Sequence, residues 1–287
     1  MAANFITAAT YQVIWPDVGA TTYTINSANN AAHLSLDGTG IPPMLRNYVP
    51  FAQSDGGIDQ GFRLDVRRMV WKLFLEAETE QALDTKRDAL WNIFRPLDDP
   101  LKLKVTKANG AVRQIDVYVD GPIEVVPGPG YKANVTIPLV APDPLWYDPV
   151  QQIRTFPLPD TSLDLTYAGS WQEWPIVKIY GSAQNLVLEN VLSMLVGLSS
   201  GRIDFNGHTI PAAAIYTVDL RPGVKTVVDG GGVSKLANMG VFTFFPYFCL
   251  YPEPLESGGN NNIVASYGTL DATAAVVFEF YNRYIAL

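Results

Sequence analysis

Reactive residue types are scarce in this chain and poorly placed to cooperate. It has two histidines, His33 and His208, and one cysteine, Cys249. Neither histidine stands at metal-ligand spacing from the cysteine or from the other histidine. A thiol nucleophile at Cys249 would have to borrow a base from one of these distant positions. No serine occupies a nucleophile elbow. Gly38-Thr39-Gly40 and Gly230-Gly231-Gly232 do not open helices, so they read as turns and not as phosphate cradles. Ser54-Asp55-Gly56-Gly57-Ile58-Asp59-Gln60-Gly61 has a faint look of a calcium loop. It lacks the oxygen donors and the terminal glutamate that such a loop needs, and reads as a strand connection.

Sugar chemistry is the strongest of the chemical readings. Trp171 and Trp174 could stack on sugar rings, and Glu253, Glu256 and Glu279 could supply carboxylates. A glycosidase needs two carboxyls roughly 5–9.5 Å apart in a cleft, which spacing along a chain does not establish. Trp174-Pro175 opening a strand also reads as a core plug. No residue is assigned as catalytic, cofactor-binding or metal-binding, and no cofactor is expected.

Composition sets the wider bounds. The chain has 287 residues and 48% of them are apolar, enough for one large or two medium domains. No run of eighteen apolar residues exists, so no membrane span is expected. Met1–Thr7 lacks the basic and apolar regions of a signal peptide. A single cysteine rules out an internal disulfide framework. These features suit synthesis in a cytoplasm. The net charge is −8, with 14 basic and 17 acidic residues in 1–155 against 6 and 11 in 156–287. No segment gathers Lys and Arg into a nucleic-acid footprint. Arg67-Arg68 reads as one charge on each face of an edge strand.

The elements follow from pattern. Residues 1–60 are weakly patterned, with one short strand at Thr21–Ile25. Met69–Leu75 is almost wholly apolar and reads as a strand buried on both faces. A helix follows over about 78–95: Leu83, Leu90 and Phe94 recur at helical spacing, Thr79 is the expected N-cap, and Pro96 ends the run. Leu101–Lys107 and Ile115–Asp120 alternate cleanly around Asn109-Gly110. For Leu101, Leu103 and Val105 to share a face with Ile115, Val117 and Val119, paired numbers must sum to an even value. A two-residue loop gives an odd sum. The register therefore predicts a three-residue loop, Ala108-Asn109-Gly110, with Gly110 left-handed. Tyr131–Leu139 alternates again, and Pro138 marks it as an edge strand or strand end.

Ala141-Pro142-Asp143-Pro144-Leu145-Trp146-Tyr147-Asp148-Pro149 comes next. Three prolines remove three donors and fix three φ angles. The segment reads as neither helix nor regular sheet but as a stiff joint between two modules, buttressed by two aromatic rings. Beyond Phe156 the pattern is short strands: Pro175–Tyr180, Leu186–Glu189, Arg202–Phe205, Tyr216–Leu220, Lys225–Val228, Val241–Phe245 and Ala274–Tyr281. Strands in such number without helices between them predict a β-sandwich. Pro246–Asn262, aromatic then polar, reads either as a sandwich loop with its aromatics tucked under it or as a docking loop.

Taken in order, these pieces resemble the distal tail protein family of long non-contractile-tailed (siphovirus) phages. The resemblance is carried by the strand, the helix from Glu78 to Leu97, the Leu101–Asp120 hairpin, Tyr131–Leu139, the Pro142–Asp148 junction, Gly169–Gly181 with its Trp174-Pro175, Gly201–Phe205 and Leu220–Gly223. It covers most of residues 62–245. It implies a mainly β chain of two domains. Residues 1–152 would be a ring-forming belt, a split β-barrel with one helix (α+β). Residues 153–287 would be a galectin-like β-sandwich. It further implies a hexameric ring, without enzyme activity, that joins the distal end of the tail tube to the baseplate hub. The implied partners are the tail tube protein and the baseplate hub or tail-associated protein, with tape measure, receptor-binding and side-fibre proteins as candidate neighbours. DNA would be passing cargo only, and the place of action the tail tip of the virion. The alternative reading is a glycan-binding, lectin-like sandwich acting in host adhesion.

Overall fold

The structure, a computed structural model, describes residues 9–16, 20–25, 31–51, 55–191, 201–240, 248–252 and 260–287. The chain divides into two compact units, Met1–Pro149 with Ile285–Leu287, and Val150–Tyr284. The second unit is thus inserted into the first. Both are mostly β.

The first unit holds β1 (Thr10–Ile14), β2 (Thr22–Ile25), β3 (Ala32–Asp37), β4 (Met44–Pro50), β5 (Gly57–Leu64) and β6 (Arg67–Glu76). Then follow α1 (Glu80–Ile93), β7 (Leu101–Thr106), β8 (Val112–Val119), β9 (Glu124–Gly128), β10 (Lys132–Ala141) and β11 (Trp146–Tyr147). Its main sheet runs β2-β1-β7-β8-β10-β6-β3, with β9 on β10 and β11 on β8. The path is open, with β2 and β3 as its ends and no pairing between them among the described residues.

Helix α1 begins where expected. The Thr79 side chain accepts from the Ala82 N–H, satisfying one of the unpaired donors of the first turn. Leu83, Leu90 and Ile93 are buried along one stripe. Phe94, the C-cap, is buried and meets Trp71 of β6 edge to face at 5.8 Å. The 101–119 hairpin has the register that alternation demands: Leu101 faces Val117 and Leu103 faces Ile115. Lys107 N–H donates to the Ala111 carbonyl and closes a three-residue loop in which Gly110 has φ +82°.

Three readings need correction. First, β6 is not buried on both faces. Met69, Trp71, Leu73 and Leu75 are buried, Val70 and Phe74 are half-buried and Lys72 is exposed. Apolar content alone cannot tell a doubly buried strand from one whose outer face is merely half-covered.

Second, β10 is no edge strand. β6 pairs along its whole length on one side, and β9 then β8 pair on the other. Pro138 is tolerated because β9 pairing ends at Thr136 and β8 pairing begins at Leu139. The Pro138 carbonyl accepts from the Asp120 N–H, so its nitrogen also points into that gap, where no ladder acceptor waits.

Third, the proline-rich segment does contain sheet. Trp146–Tyr147 forms a short strand in which Tyr147 pairs with Gln114. Leu145 and Trp146 are buried, the Tyr147 hydroxyl donates to Asp116 at 2.6 Å, and Asp148 pairs with Arg113 at 2.7 Å. The segment is a packed part of the first unit.

The second unit holds β12 (Gln152–Pro157), β13 (Ser162–Thr166), β14 (Ile176–Tyr180), β15 (Ala183–Gln184), β16 (Val187–Asn190), β17 (Arg202–Asp204) and β18 (Thr209–Ile210). The rest are β19 (Ile215–Asp219), β20 (Thr226–Asp229), β21 (Asn260–Ser266), β22 (Ala275–Phe280) and β23 (Arg283–Tyr284). Two antiparallel sheets, β12-β22-β14-β19-β20 and β13-β21-β16-β17, share one core. Phe156, Val177, Ile179, Val218, Val276 and Phe278 from the first meet Leu165, Leu188, Ile203 and Ile263 from the second. This is a β-sandwich. The end of the Pro246–Asn262 stretch is strand, since β21 starts at Asn260. Phe248, Leu250 and Tyr251 from its first half are buried. Residues 246–247 and 253–259, with Glu253 and Glu256, lie outside the described residues, as does the Val241–Phe245 strand.

Candidate assembly surface

The residues that suggested chemistry do not converge. His33 lies on β3, where its ring stacks on Tyr11 at 3.9 Å and its Nδ1 accepts the Trp71 indole N–H at 3.0 Å. Burial pushes its pKa below the ordinary 6.5. The neutral ring is therefore the one this cluster holds. The unfolded chain binds a proton more readily than the native one as pH falls through 6.5, so native stability is full above that value and declines below it. His33→Asn keeps an acceptor and cannot titrate. Its urea midpoint should change less than the wild type's between pH 8 and pH 5.

Cys249 is buried, and burial raises its thiol to about 11, which leaves it a poor nucleophile. His208 sits in a turn, its N–H on the Phe205 carbonyl. Trp174 packs against the sandwich core and Trp171 is half-buried. Glu279 is held by Lys178 at 2.6 Å. Among the described residues, no group of three or more His, Cys, Asp or Glu is placed to hold a metal. The glycines at 230–232 form a turn capped by Asp229, which accepts from the Gly231 and Val233 N–H groups at 3.0 Å.

Arg67 is a residue whose role the sequence hid. β6 lies between β10 and β3, but β3 pairs with it only as far as Val70, so at the two arginines β10 is the one ladder partner among the described residues, and they point to opposite faces. Arg68 is exposed and pairs with Asp120. Arg67 is buried and donates to four carbonyls: Pro144 at 2.7 Å, Gly38 at 2.8 Å, Gly40 at 2.5 Å and Ile285 at 2.8 Å. Burial lowers its pKa to about 10, still well above neutrality, so the guanidinium stays charged. It ties the 38–40 turn, the proline-rich segment and the chain's last residues into one body. Gly38, at φ +84°, fits because a Cβ there would lie 2.3 Å from the Arg68 carbonyl oxygen.

The most unusual surface is a hairpin. β4 and β5 pair with each other and with no other strand among the described residues. The ladder runs from Met44↔Leu64 to Pro50↔Gly57, with a register shift between Arg46 and Tyr48. The extra residue falls in β5 around Gly61, which has φ +96° and donates its N–H to the Asp59 side chain at 2.9 Å.

Both faces of this arm are solvated and both carry apolar side chains. One face presents Met44, Tyr48 and Phe62 around an Arg46–Asp59 ion pair at 2.7 Å, with Arg46 lying 5.4 Å over the Phe62 ring. The other presents Leu45, Val49 and Ile58 around an Asn47–Gln60 hydrogen bond at 2.8 Å. Tyr48 is 60% exposed and Ile58 56%. Phe51, which follows β4, is exposed as well. An isolated two-stranded hairpin is marginal in water, and its exposed ion pair adds little. A hairpin that spends this much apolar surface on solvent is built to be covered. The weak patterning of residues 1–60 concealed it. Apolar residues on both faces blur the period-2 signal, and the bulge breaks it.

Comparison with known proteins places this unit. The family described as phage tail protein RIFT-related domain matches residues 19–141. That match takes in β2 to β10, the arm and α1 included. No curated protein sequence matches the chain. Among solved structures, the chain is similar to the Dit (gp 19.1) protein of phage SPP1, with 13% identity and a TM-score of 0.64 over 95% of this chain and 98% of that one. Both the RIFT-related domain and the sandwich therefore have counterparts in one known fold. A chain from the phage P2 baseplate in its activated conformation with calcium aligns over 97% of this chain and 99% of its own, at 10% identity and a TM-score of 0.44. That score is too low for argument, and the likeness of fold rests on the SPP1 protein.

Proposed function

We propose that this protein is a structural component of a phage tail tip, a hexameric ring that joins the distal end of the tail tube to the baseplate hub and receptor-binding apparatus. The observation that carries an assembly role is the β4–β5 arm, apolar on both faces and uncovered in the single chain. Its place in a tail is supported by the RIFT-related family and by the fold shared with SPP1 Dit, described as a paradigm of the hub adsorption apparatus in phages that infect Gram-positive hosts. In this reading residues 1–152 are the ring-forming belt and 153–287 a galectin-like domain that serves outer partners. The ring works by geometry and carries no reactive centre. Copies that each carry −8 charges and no basic cluster would let DNA pass without adhering, because phosphate affinity comes mainly from Lys and Arg.

The test is genetic and visual. A phage lacking this gene should make tails without tips, and gold-labelled antibody to the protein should mark the tail end opposite the head. Labelling along the whole tube, or on the head, would refute the assignment.

A further inference from the structure

The arm needs a receiving surface, and the first unit carries one. At the C-terminal end of α1 a groove of about 410 Å³ is walled by Trp91, Phe94, Pro96, Val119 and Ile123, with Arg95 at its rim. Trp91 is 36% exposed on a helix whose other face is packed, so the groove is open in the single chain. The Arg95 guanidinium lies 4.4 Å over the Trp15 ring, which fixes its position at the groove.

We infer that the β4–β5 arm of one copy docks, through Phe51 and Asp55, in the Trp91–Ile123 groove of a second copy, and that this contact, repeated, closes the ring. The inference rests on the ring reading and names the surfaces it would use. Three observations favour a second copy as the occupant. The arm and the groove are both apolar and both open to solvent, so the arm is not seated in its own groove. The charges are complementary: the arm carries exposed Phe51 and the exposed carboxylate of Asp55, and the apolar groove carries a single cation, Arg95. The two surfaces also differ from one another. A contact between unlike patches is heterologous and propagates by rotation, as a ring requires, whereas a self-complementary patch would stop at a dimer.

Two arms of one experiment test this on the full chain. Phe51 is replaced by photoreactive p-benzoylphenylalanine, the assembled protein is irradiated, and the adducts are mapped by mass spectrometry. Adducts between copies should fall in the peptides holding Trp91–Pro96 or Val119–Ile123. Adducts between copies that fall elsewhere overturn the groove as the receiving surface while leaving the ring standing. A protein that stays monomeric, with adducts only within one chain, overturns both. In the second arm, Asp55→Arg and Arg95→Glu should each weaken assembly about tenfold, and the double exchange should restore most of it. Single variants that assemble as tightly as wild type overturn the proposed pairing. Asp55 and Arg95 are both exposed; Arg95→Glu also gives up the contact with Trp15, so thermal denaturation of each variant is read beside assembly, and lost assembly counts only where the monomer melts as before.

Discussion

Arg67→Ala is expected to cost the first unit about 3–5 kcal/mol of stability, a large part of the roughly 5–15 kcal/mol that holds a typical domain together. The side chain is buried, and its donors satisfy the carbonyls of Gly38, Gly40, Pro144 and Ile285. Truncation leaves these acceptors without that partner and opens a void where the guanidinium lay. Each buried acceptor stripped of a partner costs about 1–3 kcal/mol, less whatever water recovers by entering. Arg67→Lys should rescue only in part. A compact ammonium has three donors and lacks the planar fork that spreads over four oxygens. Urea titration followed by tryptophan fluorescence reads the loss, since Trp71 and Trp146 are buried in this unit. A change below about 1 kcal/mol would show that Arg67 is dispensable and that the 38–40 turn and the chain's last residues hold in place without it.

Replacing Tyr48 and Ile58 together by lysine should weaken self-association at least roughly hundredfold while the monomer melts as before. The two residues lie on opposite faces of the arm, so the double change spoils both. It should spare the hairpin itself. Tyr48 stands opposite Asp59, which a lysine can pair with, and Ile58 stands opposite Val49. Neither side chain gives up burial in the free chain, because both are more than half exposed. In an assembled contact each lysine would strand a charge against apolar surface, which is costly unless it is paired. Sedimentation across a concentration series gives the association constant and thermal denaturation gives the monomer's stability. Unchanged association would remove the arm from the interface. Lost association with a lowered melting point would mean that the arm holds the monomer together.

Local pattern made much of the fold readable. Parity alone fixed the 101–119 register, because side-chain alternation permits one loop length and forbids the next. Helix α1 was bounded by Thr79 and Pro96, each acting through its own backbone chemistry. The short strands of the second unit were legible as a class, although β12, β13, β15, β18, β21 and β23 were missed. β12 and β13 pair at sheet edges, where many side chains face solvent and hydrophobic pattern fades.

What stayed hidden depends on partners distant in sequence. Pro138 argued for an edge, because nothing nearby shows that β9 and β8 share one side of β10 and leave a gap at the proline. Arg67 read as one of two charges on the faces of an edge strand, because the carbonyls that satisfy it come from residues 27 to 218 positions away. The arm was lost for a related reason. Apolar residues on both sides of a hairpin mean little until the structure places no other strand beside it.

The central claim is that six copies close into a ring, and native mass tests it most directly. Light scattering on the protein eluting from a sizing column at rising concentration should give a mass six times the 31.5 kDa of one chain, and with the tail tube protein added that mass plus whatever tube protein is bound. A mass of one chain under every condition, with the protein fully folded, would contradict the account.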